Sequence, residues 1–164
     1  MQPYYEMEKN DVIVAPSNVA GMGVFAARDF REGEVVCLYT GTCYKSVEGN
    51  DSHYLLESRW WNGKSWEKWF LDGSDRDNAS GRYINDSRFS EYHNNVGYAT
   101  SIQGEQHEIV RKWFVNVKAI EDIPKGTELF ADYGDAYWEN FASYGKFTDP
   151  KILTDAQYKE RMRC

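Results

Sequence analysis

The sequence has little of what metal centres and crosslinked frameworks need. It contains three cysteines among 164 residues, Cys37, Cys43 and Cys164, and none of them form a C-x-x-C pair. A zinc cluster or a disulfide framework is therefore not expected, and a reducing, intracellular compartment is the simpler prediction. The histidines His53, His93 and His107 lack the spacing of metal ligands, so we expect no metal site.

The sequence also lacks long apolar runs and a net positive charge. No stretch approaches the roughly 20 apolar residues that a membrane span needs, and residues 1–10 do not resemble a secretory signal. The 19 Lys and Arg residues are outnumbered by 26 Asp and Glu, which gives a net charge of −7. We therefore expect neither a membrane partner nor direct nucleic-acid binding, because phosphate binding needs a basic surface. A basic peptide would complement this charge.

Patterns typical of helices are scarce, and short runs of strand-forming residues separated by turns dominate the chain. The dipeptide Asn62-Gly63 between two aromatic-rich arms predicts a hairpin with a two-residue turn. Short helices are predicted only after Asp135, through Phe141, and from Thr154 to Arg163. The predicted strands are Val12–Ala15, Gly23–Ala26, Val35–Tyr39, Trp113–Val117 and Glu128–Ala131. The prediction is a single, mainly β domain.

One pattern occurs twice, at residues 27–36 and at residues 120–129. Each copy has an Asp, an apolar residue, a polar turn that ends in glycine, and then a strand. Gly33 and Gly126 are expected to supply the positive φ that such a turn needs. The repeat predicts two similar β units packed in one domain, although any two strand–turn–strand units share part of this pattern.

Three clusters have residue types suited to a binding site. Gly21 and Gly23 lie directly before a strand, where glycine lets a ligand approach the backbone, although a plain turn is the alternative. Asn85 lies among apolar residues, where its amide can fix a polar ligand or cap a loop. Tyr133 follows a strand and precedes a glycine, so its hydroxyl is either held in a pocket or half-buried by packing.

In this order and spacing, the three clusters resemble a SET domain, the protein lysine methyltransferase fold, from Val12 to Trp138. Residues 21–23 resemble the family's G-x-G, and Tyr39-Thr40-Gly41 resembles its Y-x-G. Residues 70–73 with 82–87 resemble I-D-A…R-F-I-N-H-S, and residues 128–134 resemble E-L-T-Y-D-Y-G. The resemblance implies a mainly β, β-clip-like fold of several small sheets, with a threaded pseudoknot and few short helices.

The same resemblance implies the domain boundaries and the site. Residues 12–138 would be the SET domain, and residues 139–164 a C-terminal extension that completes the cofactor and peptide site or is partly flexible. Tyr133 would be catalytic, and Trp138 or Tyr137 would stack on the cofactor's adenine. Tyr39, Tyr98 and Phe130 would line the substrate channel. Contacts with S-adenosyl-L-methionine would come from Met22, Gly23, Asn85, Asp86, Tyr133 and Trp138.

The implied activity is methylation of lysine in a basic protein segment, with a histone tail as the candidate substrate. The nucleus is the expected compartment for a histone substrate, and the cytoplasm for others. Asp86 and Arg88 stand where the family has His and Cys, and an ionised Asp cannot replace a donor. Two alternatives therefore stay open: a catalytically weak, SET-like peptide-binding or scaffold domain, and a methyltransferase for a non-histone protein.

Overall fold

The computed structural model describes residues 10–46, 48, 54–74, 79–88, 90–100, 102–104, 113–135 and 137. Within these residues the chain is mainly β, with one short 3-10 helix at Ser80–Tyr83. None of the helices in this part of the chain has the length and apolar character to cross a membrane. The strands are β1 (Val12–Pro16), β2 (Met22–Ala26), β3 (Val35–Tyr44), β4 (Leu55–Trp61), β5 (Trp66–Asp72), β6 (Val96–Tyr98), β7 (Gln103–Gly104) and β8 (Trp113–Ala119).

The strands form two antiparallel sheets, which confirms the predicted fold class. Strands β1 and β2 pair over their whole length, from Val12 opposite Ala26 to Pro16 opposite Met22. The second sheet has six strands in the order β4-β5-β3-β8-β6, and β7 pairs with β8. Strand β3 is central, because it pairs with β5 at its carboxyl end and with β8 over the rest of its length.

Strand β8 shows why these sequences form a half-buried sheet. Val115, Val117 and Ala119 point into the core, while Lys118 between them is exposed. This alternation matches the two-residue period of a strand, and β-branched valines fit a pleated surface. Each fully buried valine or leucine contributes about 1.5–3 kcal/mol relative to an exposed one. The core therefore holds the central strands together.

The hairpin of β4 and β5 is confirmed, but its turn is not the two-residue turn that Asn62-Gly63 predicts. The last strand pair is Trp61 opposite Trp66, so residues 62–65 connect the strands. The Asn62 side-chain oxygen accepts the N–H groups of Lys64 at 2.8 Å and Ser65 at 2.9 Å. An Asn side chain that bonds the backbone ahead of it stabilises a longer loop.

The repeated pattern forms a matched pair in space. Phe30 and Ile123 each donate a backbone hydrogen bond to the other's carbonyl, both at 2.8 Å. The glycines Gly33 and Gly126 both have φ of +90°. Gly33 N–H donates to the carbonyl of Ala119, and Gly126 N–H donates to that of Ala26, each at 2.8 Å. The two turns are therefore similar and pair with each other, but only the first is followed by a regular strand, β3.

One other prediction differs from the structure, and one short helix was not predicted. Residues 128–131 are not a regular strand, and they pair through isolated bridges of Glu128 with Phe25 and of Phe130 with Asn85. The 3-10 helix at Ser80–Tyr83 has no signal in the sequence analysis. Asp135 and Tyr137 are helical, whereas the rest of the helix predicted through Phe141 lies outside the described residues. Trp138 and residues 139–164, with their predicted helix, lie there too.

Candidate active site

A cavity of about 490 Å³ opens between the start of β2, the middle of β3, the start of β4 and the 3-10 helix. This volume lies in the range of about 300–1,000 Å³ that small-molecule sites occupy. Six tyrosines contribute to its wall, together with one cation, Arg82. The lining residues are Gly21, Met22, Tyr39, Tyr54, Leu55, Leu56, Gly81, Arg82, Tyr83, Ile84, Asn85, Tyr98, Tyr133 and Tyr137.

The loop before β2, residues 17–21, is held by the buried carboxylate of Glu128. The Ser17 hydroxyl donates to Glu128 Oε2 at 2.6 Å, and Asn18 N–H donates to Oε1 at 2.9 Å. The Ser17 oxygen in turn accepts the N–H groups of Val19 at 2.9 Å and Ala20 at 3.2 Å. The carboxylate therefore orients the loop that brings Gly21 and Met22 to the cavity.

Asn85 connects this loop to the segment that carries Tyr133. Its side-chain amide donates to the carbonyls of Ala20 at 2.9 Å and Met22 at 3.2 Å. Its backbone carbonyl accepts the N–H of Ala131 at 2.9 Å. Asn85 is almost fully buried, so these bonds satisfy polar groups that water does not reach.

Asn95 takes the place of a strand partner for residues 128–130. Its side-chain nitrogen donates to the Glu128 carbonyl at 2.9 Å, and its side-chain oxygen accepts the Phe130 N–H at 2.8 Å. Its own backbone N–H donates to the Phe130 carbonyl at 2.9 Å. Asn85 and Asn95 thus both hold residues 128–131, and Tyr133 lies two residues after this segment.

Tyr133 is held through both its backbone and its side chain. Its hydroxyl donates to the Ile84 carbonyl at 2.5 Å, and its backbone N–H donates to Asp86 Oδ2 at 3.0 Å. The ring packs against Tyr137 in an edge-to-face arrangement, with centroids 4.7 Å apart. Such contacts leave the hydroxyl one orientation at the cavity wall.

Tyr39 and Tyr98 form a second aromatic wall. Their rings are nearly perpendicular, at 89°, with centroids 6.0 Å apart. The Tyr39 hydroxyl donates to the backbone carbonyl of Tyr54. Burial raises the pKa of both phenols, that of Tyr39 well above its ordinary value of 10.0. Both side chains therefore stay neutral at physiological pH and act as hydrogen-bonding dipoles with apolar rings.

Seven of the residues singled out in the sequence come together around the cavity. They are Gly21, Met22, Tyr39, Asn85, Tyr98, Tyr133 and Tyr137. Gly23, Asp86 and Phe130 lie behind its lining. A Cβ on Gly23 would lie 2.7 Å from Glu128 Oε2, so this glycine admits the carboxylate. Phe130 stacks on Tyr92 with centroids 5.2 Å apart, and the contacts predicted for these residues and for Trp138 stay predictions.

Several lining residues have no role in the sequence analysis. Tyr54, Leu55 and Leu56 reach the cavity because β4 pairs with β5, which in turn pairs with β3. The Arg82 guanidinium lies over the Tyr54 ring at 4.3 Å and over the Tyr83 ring at 4.9 Å. Arg82 belongs to the same motif as Asn85, so the sequence could have indicated its place at the cavity. The sequence around Tyr54 contains no motif that would indicate this. In the described ranges no cluster of His, Cys, Asp and Glu could hold a metal ion.

Comparison with protein families identifies the family to which this chain belongs. The SET-domain family model matches residues 21–134, which is most of the chain, and the protein therefore belongs to the SET-domain family. The match contains both segments that Asn85 and Asn95 hold together, as well as Tyr133.

Two known proteins illustrate the relationship. Histone-lysine N-methyltransferase EZH2 of Chaetomium thermophilum is 31% identical over 131 residues, which are 71% of this chain and 8% of that protein. The chain thus corresponds to a small part of this relative. The methyltransferase domain of human PR domain-containing protein 2 is similar in structure, with a TM-score of 0.50 and 22% identity. That similarity covers 76% of this chain and 78% of the human domain, and it shows the fold.

Proposed function

We propose that the protein transfers a methyl group from S-adenosyl-L-methionine to the amine of a lysine in a basic protein segment. The observation that carries this proposal is the position of Tyr133, whose hydroxyl is fixed on Ile84 at a cavity that Tyr39 and Tyr98 also line. Membership of the SET-domain family and the name of the 31% identical relative support the same activity.

The cavity residues fit such a cofactor. Met22 lines the cavity with almost half of its surface exposed, and Gly21 beside it has φ of +48°, a conformation that favours glycine. When bound, S-adenosyl-L-methionine would supply an electrophilic methyl group on a positively charged sulfonium. Tyrosine rings and phenol oxygens are favourable neighbours for a cation. Met22 and the backbone of Asn85 are the residues that we expect to hold it.

The chain's own residues would promote the reaction mainly by alignment. Methyl transfer to an amine is an in-line displacement, and correct orientation of the reactants can supply about 7–11 kcal/mol of barrier reduction. The bond from Tyr133 to Ile84 and the perpendicular packing of Tyr39 and Tyr98 hold the aromatic walls in one arrangement. These walls exclude water, and desolvation lowers the pKa of an incoming lysine toward the neutral amine that reacts.

A lysine-rich partner fits the charge of the protein. The net charge of −7 attracts basic segments and disfavours direct nucleic-acid contact. A histone tail is the substrate that the relative's name favours, and a nuclear location follows from it. A non-histone protein with a basic segment, in the cytoplasm, is the alternative outcome of the experiment below.

The test is transfer of labelled methyl groups to histones and to a lysine-peptide array. Tyr133→Phe should lower kcat on the order of 100-fold, as loss of a fixed catalytic hydroxyl does. Tyr44→Phe, the same change at an exposed position of β3, is the matched control and should leave kcat unchanged. Calorimetry should show normal cofactor binding by both variants. Wild-type protein that binds the cofactor but methylates no substrate would contradict catalysis and leave a binding domain.

A further inference from the structure

The two positions at which this chain differs from the family's Asn-His-Ser-Cys pattern both contact the Tyr133 segment. Asp86 is buried, with 2% of its surface exposed. Its Oδ2 accepts the backbone N–H of Tyr133 at 3.0 Å, across 47 residues of sequence. Its Oδ1 accepts the backbone N–H of Arg88 at 2.8 Å. One carboxylate therefore connects two chain segments through two backbone donors.

Arg88 contacts the same segment through its side chain. Its Nη2 donates to Asp135 Oδ1 at 3.0 Å and lies 3.6 Å from Asp132 Oδ1. Asp132 also accepts the N–H of Gly134 at 2.8 Å, which closes the turn after Tyr133. The guanidinium thus binds acidic residues on both sides of Tyr133, and these acidic side chains are largely exposed.

We infer that Asp86 and Arg88 together act as positioning residues for Tyr133. Asp86 fixes the backbone of Tyr133 from inside, and Arg88 fixes the residues that flank it from the surface. A carboxylate has two acceptor oxygens, whereas a neutral histidine ring has one acceptor nitrogen. The pair Asp86 and Arg88 therefore forms an arrangement that His and Cys at these positions could not make. The consequence for turnover rests on the proposed methyltransferase function.

The two residues differ in how much they contribute. The Asp86 bonds are shielded from water and involve a carboxylate, the stronger class of hydrogen bond. The Arg88 side chain is partly exposed and its partners more so, and exposed ion pairs contribute little. Asp86 is therefore expected to dominate.

Three variants separate these contributions. Asp86→Leu removes both acceptors, Asp86→Asn keeps one, and Arg88→Met removes the guanidinium but keeps the N–H that Asp86 accepts. Asp29→Leu is the matched control, because Asp29 Oδ1 also accepts a distant backbone N–H, that of Lys125, at 2.7 Å on the exposed surface. The measurements are amide hydrogen exchange at Tyr133 by NMR and steady-state methyl transfer.

Exchange at the Tyr133 amide should accelerate most in Asp86→Leu, less in Asp86→Asn, and not in Asp29→Leu. In Asp86→Leu kcat should fall about tenfold to 100-fold, as misplacement of a catalytic group does. Asp86→Asn should lower kcat less, with KM for cofactor and peptide within about twofold of wild type. Arg88→Met should lower kcat about two- to fivefold, in line with an exposed pair.

The positioning role is overturned if the Tyr133 amide hydrogen exchanges as slowly in Asp86→Asn and Asp86→Leu as in the wild type. A rise in KM for the cofactor with unchanged kcat would also overturn it, since that result assigns Asp86 to cofactor binding. If Asp86→Leu does not fold, Asp86→Asn and Arg88→Met still decide the question. Wild-type protein without any methyl transfer would contradict the proposed function, while the exchange data would still test the contacts of Asp86.

Discussion

Glu128 offers the sharpest test of how the cavity is built, because one buried carboxylate orients the whole loop from Ser17 to Met22. Replacing it with Gln leaves one acceptor oxygen where two are used. If the Gln oxygen faces Asn18, the amide nitrogen meets a Ser17 oxygen that already accepts two N–H groups. If the Gln oxygen faces Ser17, the amide nitrogen meets the Asn18 N–H, a second donor. The loop should shift as a result.

The size of the effect follows from these bonds. Leaving one part-buried polar group without a partner costs about 1–3 kcal/mol. A loss of about 2 kcal/mol should lower Tm by about 6 °C in a domain of this length. Because Gly21 and Met22 line the cavity at the end of the same loop, cofactor affinity should fall as well.

Thermal unfolding and calorimetry with S-adenosyl-L-methionine measure the two effects separately. Glu121→Gln is the matched control, since Glu121 is partly exposed and its contact with His93 lies at the surface. Exposed pairs of this kind contribute about 0–1 kcal/mol, so its Tm should barely change. Unchanged Tm and unchanged cofactor affinity in Glu128→Gln would refute the role assigned to the carboxylate.

Two further predictions concern the cavity wall. A Cβ on Gly81 would lie 2.5 Å from the backbone oxygen of Leu38. Gly81→Ala should therefore lower the free energy of unfolding, measured by urea denaturation, by about 1–3 kcal/mol. Gly97→Ala is the control and should lower it less, because the nearest contact of its Cβ is a flexible side chain at 3.3 Å. Equal urea midpoints for the two variants would contradict this. Burial raises the pKa of Tyr98, so its contribution to stability is complete below the unfolded value near pH 10 and falls as pH rises above it. Tyr98→Phe should reduce this alkaline loss by up to about 1.4 kcal/mol per pH unit, and an unchanged slope between about pH 9 and pH 11 would contradict it.

Local patterns predict those parts of the fold that depend on neighbouring residues. The run from Trp113 is a strand because its valines alternate with polar residues, and the observed strand only extends two residues further. The repeated turn pattern likewise predicts the positive φ of Gly33 and Gly126, because this conformation depends only on the local turn. The family resemblance adds Met22, Tyr39, Asn85, Tyr98 and Tyr133, which all line the cavity.

Features that depend on long-range pairing could not be predicted in this way. Tyr54 reaches the cavity through the order of three strands, and nothing in its own neighbourhood indicates it. The predicted strand at residues 128–131 has the composition of a strand, but its backbone partners are divided. Leu129 N–H donates to Val24, whereas Ala131 N–H donates to Asn85, so no continuous ladder forms.

Side chains complete this divided pairing, and their chemistry restricts what can replace them. Asn95 both donates to Glu128 and accepts from Phe130, so an aspartate, which only accepts, could not take its place. Asp86 accepts a backbone N–H at each of its oxygens, so an asparagine could keep one of these two bonds. The position of Tyr133 therefore depends on Asn95, which must both donate and accept, and on Asp86, which must accept twice. An Asp beside Asn85 can hold this segment only where its carboxylate finds backbone donors, as Asp86 does at Arg88 and Tyr133.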